Sequence, residues 1–298
     1  MAVLFVSYLR SILICSALIR KRYTMKEVAK YLIKINAEFK DGRIVPEIPY
    51  EEVMRLVNEP NIVIIKTGIP KELLDGAIEA TRAWSAETPL AESPDTFRNN
   101  QHKHRLHIAK IQQAPQLFHD HTFDDLDNIG GDYKQRLMPI FDPLRQFWNS
   151  LTGNQEEFGF QEGKAYFHPQ ITHYPMGGSF FGRHWHPLHP QQVGQILALN
   201  QYGQEYHSGG TGYIINDTIV ETEGHQDRGD LILFRYDLPH WVSPSSFADR
   251  FSWDDPAGRW VAILPFYNPW GTPADKDEPQ GWKTKIKTAK NESTEAAA

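Results

Sequence analysis

The stretch His173–Pro187, HYPMGGSFFGRHWHP, runs from an apolar strand through a Gly-Gly break into a segment carrying His184 and His186. Side chains alternate along a strand, so residues i and i+2 face the same way. His184 and His186 therefore point together, with Trp185 turned outward to pack. A pair at this spacing can hold one metal ion from one side, and a third ligand must come from elsewhere in the fold. The best placed is His240 in GDLILFRYDLPHWVSP, which follows a strongly predicted strand and begins the next segment, where a side chain can turn inward. His189 lies beyond Pro187 and next to Pro190, on the loop leaving the strand. The same residue pattern also arises by chance in a histidine-rich chain, so the spacing alone does not establish a metal site.

Outward from this stretch the pattern continues as strands. KAYFHPQITHYP, QVGQILALNQYG, GGTGYIIN, TIVETE, DLILFRYD and RWVAILPFYN are short, rich in β-branched or aromatic residues, and separated by Gly, Asn, Asp or Pro. In the first of these, Tyr166, His168, Gln170, Thr172 and Tyr174 share one face, a polar stripe that is either a cavity wall or a solvent face. Before Gly153 the reading is mainly helical. MKEVAKYLIKINAEF places Val28, Leu32, Ile35 and Phe39 at helical spacing, and YEEVMRLVNE is a short helix. NIVIIKTGIP is a buried strand, and Pro70 opens the helix PKELLDGAIEATRAWSAE. From Thr88 to about Gly131 the chain is polar and reads as loop with short helical pieces. Its His102, His104 and His107 belong to a solvated loop or a lid. Residues 132–153 form a long helix with Pro139 and Pro143 as possible kinks. Helices followed by a run of strands give an α+β fold, with the N-terminal helices packed on one side of an antiparallel β-sandwich.

The chain has 298 residues and a formal net charge of -6. That balance argues against a general nucleic-acid binder, which carries a basic stripe. The lone Cys15 excludes an internal disulfide framework and cysteine metal clusters, whereas histidine, at 13 copies, is abundant. Residues 1–24 are apolar, interrupted by Arg10, and end in a basic cluster. Neither apolar half reaches the roughly 20 residues of a membrane span, and the charge order is the reverse of a secretory signal. This segment reads as an N-terminal extension, with a docked helix or a weak anchor as alternatives. One domain over residues 25–282, with its core at about 155–270, and a polar tail at 283–298 complete the division; the expected location is the cytoplasm.

Six segments in order resemble the double-stranded β-helix (jelly-roll) core of the Fe(II)- and 2-oxoglutarate-dependent oxygenases, over about a third of the chain. HYPMGGSFFGRHWHP resembles the strand leading into that family's H-x-D motif, and QILALN the strand after it. SGGTGYI resembles a Gly-Gly strand entry and GDLILF the strand before the distal histidine. HWVSP resembles that histidine's own context, and GRWVAILPF the final strand. The resemblance implies Fe(II), 2-oxoglutarate and O2, with His184 and His240 as iron ligands. His186 stands where the family has a carboxylate. Imidazole there would make the site about one charge unit more positive than the usual two-His, one-carboxylate triad. His186 is then a third ligand, a spectator, or the mark of a site that has lost the activity.

The resemblance also implies a basic residue holding the far carboxylate of 2-oxoglutarate, a task suited to the bidentate fork of arginine. Arg250 begins RFS, and Arg259 follows Gly258 at the start of RWVAILPF; the turn DDPAG places Arg250 in an inserted loop and favours Arg259. Tyr174 and Asn200 are candidates to contact the co-substrate, or serve packing and turn chemistry respectively. The implied activity is hydroxylation or related C–H oxidation of a small metabolite or natural-product intermediate, with no nucleic-acid partner and no stable membrane insertion. Two alternatives remain: a three-histidine, cupin-like dioxygenase that does not use 2-oxoglutarate, and a non-catalytic metal or small-molecule binding protein.

Overall fold

The structure is a computed structural model that describes residues 30–91, 99–107 and 114–268. The N-terminal part supplies strands β1 (Leu32–Lys40), β2 (Arg43–Pro46) and β3 (Ile62–Lys66), followed by the antiparallel pair β4 (Asn100–His107) and β5 (Gln116–Phe123). Helices α1 (Tyr50–Asn58), α2 (Lys71–Glu87) and α3 (Tyr133–Thr152) are interspersed. After the short β6 (Tyr166–Phe167) come eight consecutive strands. They are β7 (Gln170–Pro175), β8 (Phe180–His184), β9 (Val193–Ala198), β10 (Thr211–Ile215), β11 (Thr218–Glu221), β12 (Leu231–Arg235), β13 (His240–Val242) and β14 (Gly258–Ile263). A final β15 (Phe266–Tyr267) pairs with β6.

The eight strands pass back and forth between two sheets, with only β10 and β11 consecutive in one sheet. Neighbours run β7-β14-β9-β12 in one and β8-β13-β10-β11 in the other. Within each set, every pairing is antiparallel. This interleaving is the double-stranded β-helix, a jelly roll. The six segments quoted above occupy β7–β8, β9, β10, β12, β13 and β14. The first sheet is extended by β3, β1 and β2 beyond β12. Strand β5 pairs with both β7 and β8 and so joins the two sheets.

The helices cover only the outer face of the first sheet. Leu74, Ala77 and Trp84 of α2, with Leu137, Phe141, Leu144 and Trp148 of α3, pack against Val63, Ile65, Leu197, Leu231, Leu233 and Ala262. Each such aliphatic side chain contributes about 1.5–3 kcal/mol by leaving water. Strand β3, IVIIK, is buried along four consecutive residues because both its faces are covered, which is why it carries no polar alternation. Among the described residues, no helix is long and apolar enough to cross a membrane.

Two expectations are corrected. Residues 32–40 form a strand, not a helix: β1 runs parallel to β3, with Leu32 opposite Ile62, and turns into β2 through Asp41–Gly42. Both turn residues have positive φ (50° and 72°), as a two-residue hairpin requires. The D-G dipeptide was the competing signal, and Ile33, Ile35, Ala37 and Phe39 also fit a period of two. Val28 lies outside the described residues. The polar segment after Thr88 holds β4 and β5 instead of loop, and His102 is buried in it. Residues 1–24 and 283–298 also fall outside the described residues.

Strand β14 starts at a glycine for a steric reason. Gly258 has φ +138°, and a Cβ there would stand 2.2 Å from the Tyr174 carbonyl oxygen and 2.9 Å from Pro175 Cα. Both contacts are with backbone of the paired strand β7, which cannot yield. Gly258→Ala is expected to lower stability by about 3 kcal/mol, combining backbone strain with overpacking. The check is a shift of the urea midpoint at unchanged slope; a loss below about 0.5 kcal/mol would contradict the argument.

Candidate metal centre and its cavity

His184, His186 and His240 each present one ring nitrogen, and these three atoms lie within 4.8 Å of one another. Strand pairing brings the first and last together, since His240 of β13 stands opposite His184 of β8. Their ring centroids are 4.3 Å apart. His184 Nδ1–H donates to the Gly182 carbonyl at 2.8 Å, and His240 Nδ1–H to the Leu238 carbonyl at 2.7 Å. A carbonyl can only accept, so each Nδ1 carries the proton and each Nε2 keeps a free lone pair. Metal-binding histidines are oriented in this way. His186 stacks on Tyr236, centroids 4.5 Å apart at 10°.

Burial holds all three rings neutral, reinforced at His184 and His186 by neighbouring imidazoles. His184 is pushed well below the ordinary histidine value, His186 down to about 3 and His240 to about 4. For His240, burial lowers the value while the Leu238 hydrogen bond opposes it. Three neutral imidazoles form a donor set for a divalent transition ion, including iron, and are poorly suited to magnesium or calcium.

The histidines line a cavity of about 450 Å3 between the two sheets. Alternation decides who reaches it. From β7, Gln170, Thr172 and Tyr174 face the cavity, while Ile171 packs in the helix-side core. From β14, Arg259, Val261 and Ile263 face in, while Trp260 and Ala262 join the helix-side core. The polar stripe of the first strand thus borders the cavity at His168, Gln170, Thr172 and Tyr174. Tyr174 packs its ring against Phe118, centroids 5.2 Å apart, and lies beneath the Arg259 guanidinium at 5.7 Å.

Arg259 is 2% exposed. Its Nη2–H donates to Thr211 Oγ1 at 2.7 Å, and its Nε lies 2.8 Å from Glu223 Oε1. The other oxygen of Glu223 accepts from the Thr211 backbone N–H at 2.7 Å. Burial raises the Glu223 carboxyl above its ordinary value, and the Arg259 charge opposes that rise. Arg250 is exposed and does not border the cavity. Asn200 does not border it either: its amide donates to the Gly258 carbonyl at 2.7 Å and accepts from the Trp260 N–H at 3.0 Å, fixing the start of β14. Trp185, expected as outer packing, borders the cavity because the chain leaves regular strand after His184. Trp241 does pack outside, over Gly212, and His189 is exposed on its loop.

Several residues at or beside the cavity were not legible beforehand. Glu223, the partner of Arg259, carries no distinguishing sequence context. Arg105 and Asp120 border the cavity from β4 and β5 and are paired at 2.9 Å. The ring of His168 donates through Nδ1 to the buried Asp124. A period-two reading of HKHRLH and FHDHTF would have placed Arg105 and Asp120 on a strand face.

No family model matches the chain, and no curated protein sequence matches it. Among solved structures, a Pseudomonas putida prolyl-4-hydroxylase is similar at 17% identity and a TM-score of 0.49, over 74% of this chain and 99% of that one. A full-length Neurospora crassa protein solved in complex with alpha-KG is similar at 9% identity and a TM-score of 0.46, over 76% of this chain and 86% of that one. A prolyl hydroxylase from Trichoplax adhaerens, solved with a hypoxia inducible factor peptide fragment, is similar at 15% identity and a TM-score of 0.41, over 73% and 90% respectively.

The pairing of Arg259 with Glu223 generates a direct expectation. Removing one member of a buried ion pair strands the other charge and costs about 3 kcal/mol or more. Glu223→Gln should lower stability by about that amount in chemical denaturation. An unchanged midpoint would mean that Glu223 is already neutral in the native protein.

Proposed function

We propose that this chain is a non-haem iron oxygenase that uses 2-oxoglutarate and O2 to oxidise a C–H bond of a small organic substrate. The observation that carries the reading is the convergence of three neutral imidazoles in a cavity that also holds one buried arginine. His184, His186 and His240 would hold the iron, and Arg259 the far carboxylate of the co-substrate. When bound, iron and 2-oxoglutarate supply the oxidative chemistry, and the protein supplies orientation and shielding. Phe118, Ile196, Phe234 and Val261 give the cavity apolar walls that exclude water. Thr172, Gln170 and the Arg105–Asp120 pair give it polar groups to orient a guest. A volume of about 450 Å3 suits a small metabolite or natural-product intermediate.

One observation favours a second reading. Arg259 already faces a carboxylate of the protein itself, Glu223. A three-histidine dioxygenase that takes its organic substrate directly onto the metal needs no free arginine, and the Arg259–Glu223 pair would then be structural.

The two readings separate by experiment. Full-length protein is loaded with Fe(II) without oxygen, then given 2-oxoglutarate, then O2. The first reading expects a visible charge-transfer band followed by succinate release, both absent in His184→Ala. Arg259→Lys keeps the charge opposite Glu223 but loses the bidentate fork. It should raise the KM for 2-oxoglutarate by about 10- to 100-fold at unchanged iron content. Oxygen uptake without succinate would support the second reading, and failure of the wild-type chain to retain iron would overturn both.

A further inference from the structure

On the opposite face of the first sheet from the cavity lies a second group of histidines. Strands β4 and β5 each carry an H-x-H pair, His102/His104 and His119/His121, and their register sets His102 opposite His121 and His104 opposite His119. On β5 the intervening Asp120 faces the cavity. The two histidine sites are therefore separated by the sheet itself. One ring nitrogen each from His102, His119 and His121 lies within 4.8 Å of the others, and all three side chains are buried. Trp84 of α2 packs edge-on to His102 at 5.6 Å, and Trp260 of β14 lies over His121 at 6.0 Å.

The hydrogen bonds around these rings fix their tautomers. His102 Nε2 lies 2.7 Å from the carbonyl of Thr88, the C-cap of α2, and His121 Nδ1 lies 2.9 Å from the Ile171 carbonyl. Both carbonyls can only accept, so both of those nitrogens carry protons. His102 Nδ1 and His121 Nε2 are thereby left as bare lone pairs. His119 Nε2 stands 2.9 Å from His102 Nδ1 and supplies the proton between them. Moving that proton to the other nitrogen of the His119 ring turns a third lone pair toward the cluster without any change in charge. Two histidines of the first centre use the same device: His184 and His240 each have one ring nitrogen pinned by a backbone carbonyl and the other left with a bare lone pair.

We propose that His102, His119 and His121 form a second metal site, one that binds a divalent transition ion of the zinc class and ties the β4–β5 pair to the C-terminal end of α2. Three neutral imidazoles without a carboxylate suit zinc, cobalt, nickel or copper. Burial on the face of the sheet turned away from the cavity makes the ion a structural one. This inference does not depend on the proposed activity, because no residue of the cavity takes part.

The test uses the full-length protein, stripped of metal and titrated with Zn2+ or Co2+ under equilibrium dialysis. Wild type should retain two equivalents, and His184→Ala/His240→Ala one. In that double variant Zn2+ should still raise the Tm, by about 5 °C at saturating ion, and Co2+ should give the visible bands of a low-coordinate site. Adding His119→Ala should remove the remaining equivalent, the bands and the Tm shift. The His184→Ala/His240→Ala protein leaves the second cluster intact, so its result stands even if the His119 variant fails to fold. No retained equivalent and no Tm shift in that protein would overturn the proposal and reduce the cluster to a hydrogen-bonded histidine network. Retention of the same equivalent after His119→Ala in a folded protein would overturn it equally.

Discussion

A sheet covered on both faces leaves no strand residue indifferent to its direction. The β7-β14-β9-β12 sheet has helices on one side and the cavity on the other. Each residue therefore belongs either to a packed apolar layer or to a site, and a slip of one position would exchange the two sets. Asn200 braces the Gly258–Trp260 backbone, and Gly258 admits the close approach of β7. Together they lock the register at the point where it decides that Arg259 faces the cavity and Trp260 the core.

Three polar or charged groups that border the cavity are each held by a partner. Arg259 has Glu223, Arg105 has Asp120, and His168 has Asp124. An isolated charge at such depth costs several kcal/mol, so pairing is the condition for placing it there at all. The histidines of the candidate metal centre follow another rule. They avoid the cost of charge by remaining neutral, each with one nitrogen committed to backbone in the cases of His184 and His240.

The strands from β7 onward could be read from sequence because their cores are aliphatic and aromatic residues between glycine and proline breaks. His184, His186 and His240 could be picked out by the H-x-H pair and by the order of the strands around them, although β8 ends at His184 and Trp185 borders the cavity too, so a strand period of two is not what brings His186 in. The part before Gly153 was less legible for two physical reasons. Residues 32–40 satisfy both a helical and a strand period, and pairing with β3 chose between them. Strands β4 and β5 bury histidine where a strand normally buries valine or isoleucine, so a scan for apolar alternation passed over them. The role of Glu223 depends on a contact with Arg259, 36 positions away in the chain, that no local pattern encodes.

Strand β5 has a mechanical consequence. It is hydrogen-bonded to β7 in one sheet and to β8 in the other, so one long edge of the jelly roll is stitched by backbone. At the opposite edge, β11 pairs with β10 and β12 with β9 and β3, and among the described residues no ladder joins β11 to β12. There the sheets meet through Val220, Ile232, Tyr213 and Phe234. Backbone ladders hold a fixed register, whereas apolar contacts are non-directional and can slide. The barrel is thus bound like a book, with β5 as the spine and an apolar fore-edge. Since Phe234 of that fore-edge lies 4.9 Å from the ring of His240, parting the leaves would disturb the histidine cluster before it disturbed the spine.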